Sequence, residues 1–127
     1  MDISKIRQRI HQLRELRSQL ENSNMRMGLM VEGSLITHYK PCGNKRCKCA
    51  RGGLHGPYWY LSTKEGRKTR FQYIHKKRLQ RVTQLANNYK VFQRNMQEIR
   101  NINRQIDGLL KQIRSYQVTE GHKRCGA

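Results

Sequence analysis

Acidic side chains are scarce in this sequence: eight Asp and Glu stand against 27 Lys and Arg. They are also isolated, at Asp2, Glu15, Glu21, Glu32, Glu65, Glu98, Asp107 and Glu120. No paired carboxylates are therefore on offer to hold the Mg²⁺ of phosphoryl-transfer or nuclease chemistry. Long apolar runs are missing too. No segment approaches the roughly 18 to 20 apolar residues of a membrane helix, and the charged, periodic start MDISKIRQRIHQ lacks the unbroken apolar stretch of a secretory signal. Hydrophobic residues make up 35% of the 127 and aromatics 7%, which excludes a broad globular core and leaves a small or elongated architecture. The P-loop, GxSxG and HExxH patterns are all absent. A Cys–His nucleophile would have to draw on the same side chains read below as metal ligands. These absences point away from an enzyme and from a membrane partner, and toward a cytoplasmic protein, including one associated with the nucleoid.

What the sequence has in excess is positive charge. A formal net charge of +19 opposes compaction by self-repulsion and draws polyanions, nucleic acid before anionic membrane. The charge is concentrated. Lys40, Lys45, Arg46, Lys48, Arg51, Lys64, Arg67, Lys68 and Arg70 crowd between Ser34 and Ile74 around the single Glu65, and Lys76, Lys77, Arg78 and Arg81 follow directly. The N-terminal segment is closer to balance, with Lys5, Arg7, Arg9, Arg14 and Arg17 set against Asp2, Glu15 and Glu21.

The same central stretch holds three of the four cysteines. Cys42, Cys47, Cys49 and His55 form a C-x4-C-x-C-x5-H run among Gly43, Gly52, Gly53 and Gly56. Zn²⁺ accepts a tetrahedron of thiolates and imidazole without geometric preference of its own, and glycines let a loop wrap it, so the run suits a closed structural zinc site. Clustered cysteines in a reducing cytosol are more often metal ligands than disulfides. Structural thiols without metal are the bland alternative, an iron–sulfur cluster would need a fourth local cysteine, and His38 competes with His55 as fourth ligand. Four protein ligands leave no open position for a substrate water. Cys125, far down the chain, stands apart.

Periodicity supplies the framework. Ile3, Ile6, Ile10, Leu13, Leu16 and Leu20 recur three and four apart, predicting an amphipathic helix from about Asp2 to Glu21, with Asp2 complementing its dipole and Asn22, Ser23 and Asn24 breaking it. Met25, Met27, Leu29, Met30 and Val31 then form an apolar bridge expected to pack, up to Gly33. Ser34–Tyr39 alternates as a short strand. Tyr58–Thr63 and Lys68–Ile74, separated by Lys64-Glu65-Gly66-Arg67, read as a hairpin, giving a three-stranded antiparallel sheet. Val82, Leu85, Tyr89, Phe92, Met96, Ile99, Asn103, Ile106, Leu110 and Ile113 predict a heptad seam on one long helix over about residues 75–117, with polar Asn103 and Arg17 in matching positions. The expected fold is α+β: an antiparallel helical hairpin, of coiled-coil type, with a small zinc-stabilised β module between its helices. Its segments are residues 1–24, 25–74, 75–117 and a disordered tail at 118–127. The first helix zips onto the distal half of the second, leaving the proximal half for the sheet or a second copy, and the long helix is the expected homodimer contact.

Alternation sends Trp59 to one sheet face and Tyr58 and Tyr60 to the other. One face must pack on helix, and the other either presents rings for base stacking beside cations or closes them into cross-strand pairs. The expected nucleic-acid-binding set is Lys40, Lys45, Arg46, Lys48, Arg51, Tyr58, Tyr60, Lys64, Arg67, Lys68, Arg70, Lys76, Lys77 and Arg78, contacting DNA or RNA mainly through phosphates. A coiled-coil assembly or adaptor protein with an acidic protein partner is the alternative.

The segment GSLITHYKPCGNKRCKCARGGLHGPYWYLS, followed by GRKTRFQYI, resembles a family of small, basic, uncharacterised prokaryotic proteins. In that family a GSL…Y..CG…C.CA…HGPY.YL core precedes a long helix, and the resemblance covers about Gly33 to Tyr89. It implies an intact module in a prokaryotic or mobile-element setting, and implies no activity.

Overall fold

A computed structural model describes residues 2–41, 44–47 and 52–126. In chain order the elements are α1 (Ile3–Met25), β1 (Ser34–Lys40), β2 (His55–Glu65), β3 (Lys68–Ile74) and α2 (Lys76–Cys125). The fold is α+β, two helices with a three-stranded antiparallel sheet between them in the chain. It divides into two compact units, Met1–Met27 with Phe92–Ala127, and Gly28–Val91.

In the first unit Asp2 starts α1 as its N-cap, Oδ1 accepting from the Ser4 and Lys5 amides at 3.0 and 3.4 Å. Such a cap is worth about 1 kcal/mol. One stripe of α1, Ile6, Ile10 and Leu13, buries against Ile102 and Ile106, with Leu20, Leu109 and Ile113 partly buried against it. The helices run antiparallel: Asn24 near the end of α1 meets Phe92 and Asn95, whereas Arg17 Nη1 donates to Asn103 Oδ1 at 2.9 Å.

The helices depart from the periodic pattern in three ways. The α2 stripe facing α1 uses Asn95, Ile102 and Leu109 alongside Ile99, Ile106 and Ile113; Met96, Asn103 and Leu110 lie on the outer flank and are exposed, as is Leu16 on α1. Arg17 and Asn103 meet, but at the edge of the stripe. Second, Asn22–Asn24 continue α1 instead of breaking it, because Asn24 Nδ2 donates to the Phe92 carbonyl at 3.1 Å and Asn24 Oδ1 accepts from Asn95 Nδ2 at 2.9 Å. Third, α2 extends through the expected tail to Cys125. His122, Lys123 and Arg124 complement the negative end of its dipole, Lys123 pairs with Glu120 at 3.4 Å, and Gly126 takes the positive φ of a helix stop, +79°.

In the second unit the sheet order is β1-β2-β3. The hairpin closes tighter than expected: Glu65 pairs with Lys68, leaving a two-residue Gly66-Arg67 turn with Gly66 at φ +65°. Positive φ at the first turn residue alone is the type II′ pattern, which suits the twist of the flanking strands. Strand β2 also starts earlier than expected, at His55, and its register to β1 slips between His38 and Lys40. Pro57 falls in that irregular stretch, where β3 has already ended its pairing at Trp59–Ile74, so its missing amide costs no ladder bond. Gly33 enters β1 at φ +154°, where a Cβ would stand 2.8 Å from the Ser62 carbonyl oxygen.

Leu61 and Ile74 bury with Ala86 of α2 as the core of this unit. Val31 donates its amide to the Leu85 carbonyl at 3.1 Å and Asn88 Nδ2 donates to the Leu29 carbonyl at 3.0 Å. The apolar bridge before Gly33 is thus tied by its backbone, while Met25, Leu29 and Met30 expose their side chains, against the expectation of packing. Among the described residues no helix is long and apolar enough to cross a membrane.

Candidate nucleic-acid interface and metal centre

The pairing register fixes two sheet faces. Leu35 opposite Leu61, Thr37 opposite Trp59, and Trp59 opposite Ile74 define one face; it turns toward α2, where Leu35 and Trp59 line an open groove with Lys76, Leu79, Thr83 and Ala86. Ile36 opposite Tyr60, His38 opposite Tyr58, Tyr60 opposite Tyr73, and Ser62 opposite Phe71 define the other. This second face is open.

On the open face the rings form a connected set. Tyr73 meets Tyr60 edge-on at 5.7 Å and Tyr58 tilted at 6.5 Å, and His38 meets Tyr60 edge-on at 6.4 Å. Lys40 Nζ donates to the Tyr60 hydroxyl at 3.0 Å and lies 5.3 and 5.7 Å from the Tyr58 and Tyr60 ring centres. That hydrogen bond, with the electrostatic attraction of Tyr60, raises the Lys40 pKa above its ordinary value. A cation over two ring faces is a favourable arrangement. Trp59 is on the helix face and the tyrosines on the open one, as alternation predicts, but mutual packing leaves Tyr58 and Tyr60 half-buried. Phe71 and Tyr73, absent from the expected binding set, are the rings that stand out, 58% and 52% exposed. The sequence already places both rings across the hairpin from Tyr58 and Tyr60 among Lys64, Arg67, Lys68 and Arg70; their greater exposure follows from the edge position of β3.

The expected cations stand in solvent on both sides of the module: Lys64 falls on the open face, Arg70 alternates onto the other, and Lys76 lines the groove beside Trp59. Lys40, Lys45, Arg46, Lys64, Arg67, Lys68, Arg70, Lys76, Lys77 and Arg78 are all exposed. Of these, Arg70 pairs with Glu65 at 3.2 Å, in an ion pair that is itself open to solvent and worth little. Lys64 shares the open face by strand alternation, and Lys68 and Arg67 sit at the hairpin tip. Lys76, Lys77 and Arg78 form the first turn of α2 with no acidic residue among them. There they add positive charge to the positive end of the helix dipole, a cost that a bound anion relieves. Lys48 and Arg51 lie outside the described residues.

The cysteine loop presents one half of the expected metal centre. The Asn44 carbonyl accepts from the Cys47 amide at 3.0 Å, and Asn44 Oδ1 accepts from the Arg46 amide at 3.0 Å. This side-chain-braced turn carries Cys47 Sγ into contact with His55 Nε2. Strand β2 supplies His55 opposite Lys40, whereas His38 packs against Tyr60 on the open face. The structure brings His55, and not His38, to the thiol. Cys42 and Cys49 lie outside the described residues, and among those described no group of three metal-ligating side chains occurs. A thiol and an imidazole nitrogen converging on one point fit two corners of a zinc tetrahedron. Cys125 is exposed near the end of α2.

A family model for a domain of unknown function matches residues 3–84. The matched span holds α1, the whole sheet and the first turns of α2. No curated protein matches the chain. No solved structure matches it.

Proposed function

The chain belongs to the DUF6788 family, and on the strength of its own residues we propose that it is a non-enzymatic nucleic-acid-binding protein that grips phosphates through its cationic β module. The observation that carries this reading is the crowd of exposed cations in Gly28–Val91, of which Arg70 leans on the carboxylate of Glu65. Cations at this density repel one another. A polyanion removes that repulsion and releases its own counterions on binding.

In this reading Cys42, Cys47, Cys49 and His55 hold a structural Zn²⁺ that fixes the cysteine loop, so that Lys45, Arg46, Lys48 and Arg51 form a basic finger. Bound zinc would supply folding energy and no reaction step. The contact of Cys47 with His55 supports that ligand set. In the same reading the GSL…CG…CxCA…HGPYxYL core is that of a basic prokaryotic family, and the protein is an accessory factor of a mobile element that works in the cytoplasm. The helical hairpin acts as a coiled coil, and the long helix joins two copies.

A second reading, a coiled-coil assembly protein with an acidic partner, has one observation in its favour: Met96 and Leu110 are exposed on the outer flank of α2. A gel-shift titration on single-stranded DNA, duplex DNA and RNA at two salt concentrations separates the readings. Retarded probe that is released by salt supports nucleic-acid binding, and no retardation on any probe refutes it. Chelator-sensitive cleavage of the probes in the same tubes would instead assign a metal-dependent nuclease.

A further inference from the structure

We propose that the open sheet face is a stacking platform for an unpaired nucleic-acid strand, with Phe71 and Tyr73 each taking one base. The inference rests on the nucleic-acid reading above and goes further by naming the strand form and the residues that select it.

Soluble proteins rarely leave aromatic rings standing on one face without a use for them. Phe71 and Tyr73 are more than half exposed and Ile36 lies partly open beside them. They share the face with Tyr58, Tyr60 and His38 through the pairs Ser62–Phe71, Tyr60–Tyr73, Ile36–Tyr60 and His38–Tyr58. Tyr73 is held in place from below. Tyr73 rests edge-on against Tyr60, and Tyr60 is fixed by the hydrogen bond from Lys40. A preset ring loses little freedom on binding.

Spacing decides the strand form. Phe71 and Tyr73 are two positions apart on β3, roughly 6.5 Å along a strand. Stacked bases in a duplex follow one another at about 3.4 Å, too close to place neighbours on separate rings. Splayed bases of a single strand meet the longer interval, and duplex bases cannot leave their stack without losing their pairing. Charge favours the same occupant over a protein. Lys40 lies at one end of the ring row and Lys64 on the same face at the other, with Arg67 and Lys68 at the adjoining turn. Rings between cations match bases between phosphates. A second copy of this chain would bring its own cations against these.

The test uses the full chain with a 12-nucleotide single strand, as oligo-dT and as oligo-U, and a 12-base-pair duplex, all read by fluorescence anisotropy at one salt concentration. The double variant Phe71→Ala with Tyr73→Ala should bind the single strands at least tenfold more weakly, given the usual loss per stacked base, and the duplex within twofold of the unchanged protein. Phe71→Trp and Tyr73→Phe keep the rings and should keep single-strand affinity, which separates lost stacking from lost folding. An unaltered single-strand affinity in the double variant, or an equal loss on the duplex, overturns the platform while leaving phosphate binding standing. A fall from dimer to monomer in sedimentation on the same double substitution would also overturn it, by assigning the face to a second copy. Failure of the unchanged protein to bind any probe would sink the functional reading itself.

Discussion

Replacing Ile102 by Ala should unfold the helical hairpin far more readily than replacing Leu110, although the heptad spacing puts Leu110, and not Ile102, in the expected seam. Ile102 is 2% exposed and packs into the cluster of Ile6, Ile10, Leu13 and Ile106; Leu110 is 52% exposed. Truncating a buried Ile removes its transfer energy and leaves a cavity between two helices, about 2–5 kcal/mol. Full burial of a Leu is worth about 1.5–3 kcal/mol, so a half-exposed one has on the order of 1 kcal/mol to lose. At about 4–8 °C per kcal/mol for a small unit, Ile102→Ala should lower the melting temperature by at least about 8 °C. Leu110→Ala should lower it by less than that. Thermal unfolding followed by far-ultraviolet circular dichroism in dilute, monomeric protein reads both. Equal losses, or a larger one for Leu110→Ala, would refute the assignment of the buried stripe.

Other perturbations address the module. Lys45→Gln combined with Arg46→Gln should weaken nucleic-acid binding and lower the slope of log affinity against log salt by about 2, one for each phosphate the variant can no longer neutralise; an unchanged slope removes the finger from the interface. Purified protein should carry one zinc per chain by elemental assay, and Cys47→Ser or His55→Ala should release it, whereas His38→Ala should retain it; metal-free protein that remains fully folded contradicts the zinc site. The raised Lys40 pKa implies stability present below the unfolded-state value near 10.4 and lost as pH climbs through the folded one, so Lys40→Gln should shrink the alkaline fall in stability above about pH 10, and an identical fall in both proteins would deny the contact with Tyr60. Gly33→Ala should destabilise the sheet, since the added Cβ meets the Ser62 carbonyl oxygen at 2.8 Å; unchanged melting would show that this backbone can shift.

The elements are legible in the sequence because each rests on local repetition. Alternation at Ser34–Tyr39 and the 3–4 spacing of Ile3 to Leu20 translate directly into strand and helix. A hairpin turn of two residues, where four are expected, alters the pairs but keeps their parity, so Trp59 still falls on the helix face. The flank of the α2 stripe is not legible. Met96 and Leu110 are as apolar as any core residue, and Asn95 is polar, yet Asn95 faces α1 because Asn24 and Ser23 wait across the gap. A hydrophobic pattern along one helix carries no trace of a complementary amide 71 positions away. Ala86 is hidden for a related reason: its small side chain adds little to a pattern, and it is buried with Leu61 and Ile74 in the core of its unit. At the site, spacing nominates His55 with His38 as its competitor, and what spacing cannot supply is the contact of Cys47 with His55 while His38 packs against Tyr60.

The affinity of the full chain for a short labelled strand, measured by anisotropy from 50 to 200 mM salt, tests the central claim most directly. A cationic face that engages about five phosphates should show a log–log slope of roughly −3.5 on a single strand, a loss of about a hundredfold over that range. A slope near zero, or no binding at the lowest salt, would contradict the account.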